Sequence, residues 1–239
     1  MESTDWLVGV VVPARDEEEH IGECLAAIQA SLDAASGVIS SWIVVVADSC
    51  RDRTAIRARA ALAMTGNVIE CEARSPGTAR RLGVEALLRR CAATDLSRVW
   101  IANTDADSRP APDWIHHQLK FASQGYAGVA GVVHVDSIDG LGSDDIAALL
   151  EHYVVNEDGS HPHVHGANLG VRGDAYADAG GWSDLALAGD HCLWSRMKAG
   201  KWPTISSTSS VVVTSGRLVG RAAGGFADSL RRRLQLRYA

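Results

Sequence analysis

The sequence predicts an α/β protein, a single Rossmann-like domain with a mostly parallel central sheet and helices on both faces. Three observations predict it. Four short apolar runs rich in Val and Ile (Leu7 to Val12, Trp42 to Ala47, Val68 to Cys71 and Val99 to Ala102) read as strands buried on both faces. Helical patterns alternate with these runs, and that alternation implies parallel pairing through right-handed crossovers. A chain of 239 residues is long enough to bury one full-sized core.

Each element follows in order. Leu7 to Val12 is ended by Pro13. Ile21, Leu25, Ile28 and Leu32 then share one helical face, with acidic Asp16 to Glu19 near the N-terminal end, where the helix dipole favours them. Trp42 to Ala47 is ended by Asp48. The alanine-rich stretch Asp52 to Met64 reads as a helix capped by Asp52. Val68 to Cys71 is the third strand, and Thr78 to Cys91 a helix with Leu82, Leu87 and Cys91 towards one face. Val99 to Ala102 is ended by Asn103. Pro112 opens a helix through Trp114 and Leu119. Tyr126 to Val135 reads as a longer strand. Gly140 and Gly142 follow, then a helix from Asp144 to Val155. The polar stretch Asn156 to Asn168, with His161, His163 and His165, reads as a loop. Asp190 to Ala199 is helical, Thr208 to Thr214 a strand, and Phe226 to Leu236 a basic helix. No repeat, low-complexity segment or linker divides residues 1–239, so one domain is expected, with residues 1–110 and 111–239 forming the two walls of a cleft.

Composition narrows the function. The chain is 46% hydrophobic and 22% charged, which excludes disorder as its default state. Its formal net charge of -6 provides no global basic field, so nucleic acid is not an expected partner. Cys24, Cys50, Cys71, Cys91 and Cys192 are scattered and odd in number, which argues against a disulfide framework or a structural zinc and for a reducing cytoplasm. No signal peptide or transmembrane segment is expected, because no stretch approaches ~18 uninterrupted apolar residues.

Ligands of open α/β sheets sit beyond the carboxyl ends of the strands. Three polar loops converge there: Pro13-Ala14-Arg15-Asp16-Glu17, Asp48-Ser49, and Asn103-Thr104-Asp105-Ala106-Asp107. Asp105 and Asp107 flank one small residue. Carboxylates this close repel unless a cation is near. A hard divalent ion such as Mg²⁺ or Mn²⁺ takes carboxylate oxygens together with substrate phosphates.

These segments, in this order, resemble the family 2 glycosyltransferases, which have the A-type glycosyltransferase fold of nucleotide-diphospho-sugar transferases. The resemblance rests on Val10 to Glu17, Val44 to Thr54, Gly77-Thr78-Ala79-Arg80-Arg81-Leu82-Gly83, Asp105-Ala106-Asp107, Gly166 to Arg172, Gly180-Gly181-Trp182, and Gly189-Asp190-His191-Cys192-Leu193-Trp194-Ser195-Arg196. Arg81 stands where Asn is common, and Gly189 replaces the Glu usual before Asp190.

The resemblance implies a metal-dependent transfer of a hexose from a nucleoside-diphosphate sugar, UDP- or GDP-linked, to a hydroxyl acceptor; the absence of membrane spans favours a small, soluble one. The nucleotide-sugar would lie in residues 1–110 and the acceptor in 111–239. Pro13, Ala14, Arg15 and Glu17 would line the nucleotide and Asp48 would read the base edge. Arg80 would approach the donor, with Asn103 and Thr104 beside it. Asp105 would touch the ribose or sugar, and Asp107 would hold Mg²⁺ or Mn²⁺. Asp190 would be the general base of an inverting reaction, its competing role being a helix cap. Asn168 would lie on the acceptor side, and Arg217 in a C-terminal loop, with Arg221 and Gly224-Gly225-Phe226, that folds over the diphosphate. The histidines of the loop could hold a metal or only cover the acceptor site. A homodimer is left open. Two alternatives are a nucleotidyltransferase of similar fold, disfavoured by an acidic first loop without glycine, and a degenerate sugar-nucleotide-binding protein.

Overall fold

The structure, a computed structural model, describes residues 5–91, 95–135, 138, 154–185, 188–217 and 231. The expected helices at Asp144 to Val155 and Phe226 to Leu236, Gly140, Gly142, Arg221 and Gly224 to Phe226 lie largely or wholly outside them. Eight strands alternate with six helices among the described residues: β1 (Trp6–Ala14), α1 (Ile21–Ala34), β2 (Val38–Asp48), α2 (Thr54–Leu62), β3 (Gly66–Cys71), α3 (Pro76–Arg90), β4 (Val99–Asn103), β5 (Ser108–Pro110), α4 (Trp114–Ser123), β6 (Gly128–Val135), β7 (Leu169–Arg172), α5 (Gly173–Asp178), α6 (Gly189–Ala199) and β8 (Thr204–Thr214).

The strands form one sheet in the order β3-β2-β1-β4-β7-β6-β8-β5. β3, β2, β1 and β4 run parallel, β7 runs against β4 and β6, and β8 returns to the common direction beside β6. The sheet is therefore mixed but mostly parallel, and the carboxyl ends of β1, β2 and β4 share one edge. Period-two alternation divides the core. Val8, Val10 and Val12 of β1 pack with Ile21, Leu25 and Ile28 of α1 and Trp114 of α4, while Val11 faces Val84 and Leu87 of α3 and the elements beyond them.

Several expectations are corrected. Pro13 does not end β1; the strand continues to Ala14 beside Val46 and Ala47, while pairing to β4 has already stopped at Val11 and Asn103. A proline is tolerated there because no ladder on that side needs its missing N–H. β3 is half-exposed rather than buried on both faces, because it is the edge strand. The buried face of α3 is Ala79, Arg80, Gly83, Val84 and Leu87, whereas Leu82 and Cys91 are only partly buried. β8 begins at Thr204, four residues before the expected Thr208 and seven before its apolar run at Val211, in a serine-rich stretch where Ile205 alone gives too weak a hydrophobic signal. The N-cap of α2 is Arg53 rather than Asp52, which sits one residue earlier and accepts the Thr54 N–H at 2.9 Å. All five cysteines are free. Among the described residues no helix is long and apolar enough to cross a membrane.

Candidate active site

The loops at the carboxyl edge are stitched to one another. The Glu17 N–H donates to Thr54 Oγ1 at 2.8 Å and the Glu18 N–H to Asp52 Oδ2 at 2.9 Å, while the Arg51 N–H returns to Asp16 Oδ1 at 2.7 Å. Asp16 and Ser49 hold positive φ of 52° and 56°, so both loops turn sharply as they leave the sheet. The Cys24 thiol of α1 donates to the Asp105 carbonyl at 3.3 Å, which fixes the loop after β4. Each functional side chain thus hangs from a loop held by its neighbours.

Two arginines neutralise the paired aspartates. Arg80 of α3 donates to Asp105 Oδ1. Arg217, just beyond β8, pairs with Asp107 Oδ2 at 2.8 Å and with both oxygens of Glu17 at 2.6 and 2.8 Å. Glu17 is only 4% exposed, so its charge is buried and paired. Burial, then the charge of Asp105, pushes the Asp107 carboxyl up to about 6, with Arg217 opposing. Asp107 Oδ1 receives only long contacts from the Ser108 and Thr214 hydroxyls, at 3.3 and 3.4 Å.

The opposite wall comes from α6. Ala188, in the left-handed conformation at φ 57°, turns the chain into the helix, and Asp190 lies in the first turn. Its Oδ1 accepts the His191 N–H at 2.8 Å and its Oδ2 the Gly166 N–H at 2.9 Å. Gly166 also abuts Arg80: a Cβ there would lie 2.7 Å from Nη2. One residue therefore separates Asp190 from the guanidinium that holds Asp105. His161, His163 and His165 stack, with ring centroids 5.9 and 6.0 Å apart, as their alternation requires in an extended loop. Burial pushes His165 down to about 4, although Asp190 opposes this.

A model of "Glycosyltransferase like family 2" matches residues 5–233. The chain belongs to this family. No curated protein matches it. Among solved structures it is similar to the mannosyltransferase PcManGT of Pyrobaculum calidifontis in complex with GDP-Man and Mn²⁺, at 19% identity and a TM-score of 0.63, covering 95% of this chain and 60% of that one. It is also similar to S. aureus TarS 1-349 in complex with UDP, at 15% identity and TM-score 0.60 over 87% of this chain and 60% of that one. The complex of TarS 1-349 with UDP-GlcNAc gives 14% identity and TM-score 0.62, covering 96% and 64%. The likeness shows the fold, the A-type glycosyltransferase fold. The chain spans about 60% of the length of the first two structures.

Within this family 2 fold the expected site residues divide into three groups. Glu17, Arg80, Asp105, Asp107 and Arg217 are brought into direct contact, and Asp190 joins them across Gly166. Arg15 is half-buried just beyond β1, its guanidinium unpaired among the described residues, beside half-buried Pro13 and buried Ala14. Asp48, Asn103, Thr104 and Asn168 are buried; Asp48 and Asn168 are committed to the protein, whereas Asn103 Oδ1 and Thr104 Oγ1 find no hydrogen-bond partner among the described residues. Asp48 accepts the Arg74 and Ser75 N–H groups at 2.8 and 3.0 Å, so its carboxylate holds the entry to α3. Asn103 donates to the Leu169 carbonyl at 3.1 Å, and Thr104 is fully buried.

Asn168, expected on the acceptor side, lies in the core. Its Nδ2 donates to the Val132 and Ser210 carbonyls at 2.8 and 2.9 Å, and its Oδ1 accepts from Trp114 Nε1 and Ser210 Oγ at 2.8 and 3.1 Å. All four hydrogen-bonding positions of the amide are filled inside the core, leaving none for an acceptor. Trp114, Trp182 and Trp194 are buried.

The divalent ion implied by the resemblance can be tested against the donor set. Asp107 fits one ligand: it is a desolvated carboxylate with a raised pKa, which a cation would favour in its charged form. Asp16, Cys50 and Asp52 also place ligand atoms within 4.8 Å of one another. That set is poorly suited to a hard ion: the Cys50 thiol is raised by burial and donates to the Ala14 carbonyl at 3.4 Å, and both carboxylates already bind backbone amides. Sequence reading missed Cys24 and Thr54, which brace the loops, because neither carries a spacing signal.

Proposed function

We propose that this family 2 member transfers a hexose from a nucleoside-diphosphate sugar to a hydroxyl acceptor with inversion, using Asp190 as base and a divalent cation at Asp107. The observation that carries the reading is the bridge through Gly166, whose N–H binds Asp190 while its Cα faces the Arg80 guanidinium paired to Asp105. A carboxylate for the acceptor and a carboxylate–arginine pair for the donor thus lie on either side of one residue.

In this reading the donor lies over the loops of β1, β2 and β4, with Arg15 available to its phosphates. Asp105 receives the ribose or sugar hydroxyls, and Arg80, paired with that carboxylate, aims it. Asp190 takes the proton of the acceptor hydroxyl as its oxygen attacks the anomeric carbon. The bond from that carbon to the phosphate oxygen breaks, and its electron pair leaves with the nucleoside diphosphate. Each Asp190 oxygen accepts one backbone N–H and retains a lone pair for the incoming proton. A base so placed contributes ~10²–10⁴-fold. When bound, a divalent ion would offset the charge on the leaving diphosphate, and Asp107 is the residue that would hold it. Arg217 would exchange Asp107 for the diphosphate. The similar structures in complex with GDP-Man and Mn²⁺ and with UDP-GlcNAc support a donor of this class. A small soluble acceptor and a cytoplasmic location belong to the same proposal.

Thermal unfolding against UDP-, GDP-, ADP- and TDP-sugars, each with and without Mn²⁺, tests it. A donor at 100 times its dissociation constant adds ~2.7 kcal/mol. One nucleotide should give a metal-dependent shift that Asp107→Ala abolishes. No shift with any nucleotide at millimolar concentration overturns the reading.

A further inference from the structure

Arg80 lies in a cradle formed by two further residues, Trp182 and Gly166. The indole of Trp182 lies under its guanidinium, with Cζ 5.1 Å from the ring centroid. Gly166 closes the other side, where a Cβ would come within 2.7 to 3.1 Å of Nη2, Cζ and Nη1. The Arg80 Nε is buried and has no hydrogen-bond partner among the described residues, and Arg80 as a whole is 8% exposed. Asp105 on one side and the indole face on another are therefore what aim the guanidinium.

Trp182 itself is fixed by α5 and α6. Gly180 and Gly181 adopt φ of 73° and 65°, a turn that a side chain resists, and this turn delivers Trp182 to the cleft. The Trp182 N–H donates to the Tyr176 hydroxyl at 3.0 Å. Arg196 of α6 grips the same turn, donating to the Ala179 and Gly181 carbonyls and to Ser183 Oγ at 3.0 Å. The indole packs beside Gly189, 3.6 Å from where a Cβ would stand, one residue before Asp190. The helix that carries the proposed base thus also carries the platform for the donor-side arginine.

We infer that Trp182 and Gly166 are positioning residues that act through Arg80, holding it on Asp105 and so coupling donor binding to the acceptor-side helix. This rests on the proposed donor site. A cation–π contact of this kind corresponds to roughly 2- to 30-fold in affinity, so the loss should be readable.

The test is a double-mutant cycle on donor affinity. Titration calorimetry would use UDP-GlcNAc, GDP-mannose, ADP-glucose and TDP-glucose in MnCl₂, taking whichever the wild-type chain binds most tightly. Trp182→Leu should weaken that donor by roughly 10-fold, and Trp182→Phe, which keeps an aromatic face, should stay within about 3-fold of wild type. In an Arg80→Ala background, Trp182→Leu should cause no further loss. Gly166→Ala, which leaves the indole in place but displaces the guanidinium, should match Trp182→Leu and likewise lose its effect without Arg80; it supplies the cycle if Trp182→Leu does not fold. Equal losses with and without Arg80, or Trp182→Phe as weak as Trp182→Leu, overturn the inference and leave a plain packing role. Wild-type affinity in both Trp182→Leu and Gly166→Ala overturns it while leaving the donor site standing. A wild-type chain that binds none of the four overturns both.

Discussion

At the scale of single residues, the site is a set of carboxylates competing for two guanidiniums. Arg217 shares one Nη2 between buried Glu17 and Asp107, and so supplies the positive charge that a divalent ion would otherwise bring to Asp107. Removing it leaves Glu17 buried without its strongest partner and Asp107 beside Asp105 without a counter-charge. Asp107 should then bind a cation more readily. Arg217→Ala is expected to tighten Mn²⁺ binding to the ligand-free protein while weakening a nucleotide-sugar donor, because the same guanidinium is proposed to follow the diphosphate. Manganese titration followed by paramagnetic relaxation of water separates these effects; loosened Mn²⁺ would mean that Arg217 assists the ion. Asp190 sits apart from this competition, since its partners are the backbone amides of Gly166 and His191. Asp190→Asn keeps a side chain that can still accept from one of them. Transfer should fall by ~10²–10⁴-fold with donor affinity unchanged, measured by turnover and calorimetry on the same preparation. A loss confined to donor affinity would remove Asp190 from the role of base.

At the scale of elements, the junction of β6 with β8 shows what sequence pattern can and cannot reveal. The register slips between Gly131 and Val132: Gly131 faces Ser207, but Val132 faces Val211. Asn168 plugs the irregularity with two donated and two accepted hydrogen bonds, and Gly131 makes room for it, since a Cβ there would fall 2.3 Å from Nδ2. Asn168→Leu would leave Trp114 Nε1 and two carbonyls buried without partners. At ~1–3 kcal/mol for each orphaned group, it should lower the urea midpoint sharply. Any folded fraction should bind donor with wild-type affinity, and a selective loss of binding at unchanged stability would return Asn168 to the site. Sequence reasoning placed Asn168 on the acceptor side because its neighbours resemble a family segment, and a buried strut has no signature of its own. The parallel strands β1 to β4 were legible because each is an apolar run ending in polar residues. β5, β7 and α5 were not read, because elements of three to six residues carry too few positions for periodicity.

At the scale of the whole molecule, the two walls of the cleft carry opposite protonation stresses in the same pH window. His165 is pushed down to about 4, first by burial, from a usual value of 6.5. Between these values the unfolded chain holds a proton that the folded chain lacks, so His165 withdraws stability as pH falls from 6.5 towards 4. Asp107 is pushed up to about 6, first by burial, from 3.8. Between these values the folded chain holds the extra proton, so Asp107 returns stability over nearly the same fall in pH. Each effect is bounded at about 3 kcal/mol, and the two largely cancel in the intact protein. Single substitutions should uncover them. Relative to wild type, His165→Gln should become progressively more stable from pH 6.5 to 4.5, and Asp107→Asn progressively less stable. Urea midpoints in the presence of a chelator, so that no divalent ion holds Asp107 charged, would measure both. Differences of the same sign in the two variants would mean that one of these groups does not experience the burial its position implies. Opposite signs would tie both groups to one desolvated cleft. A cation at Asp107 should then abolish that residue's share of the compensation and leave the His165 slope exposed.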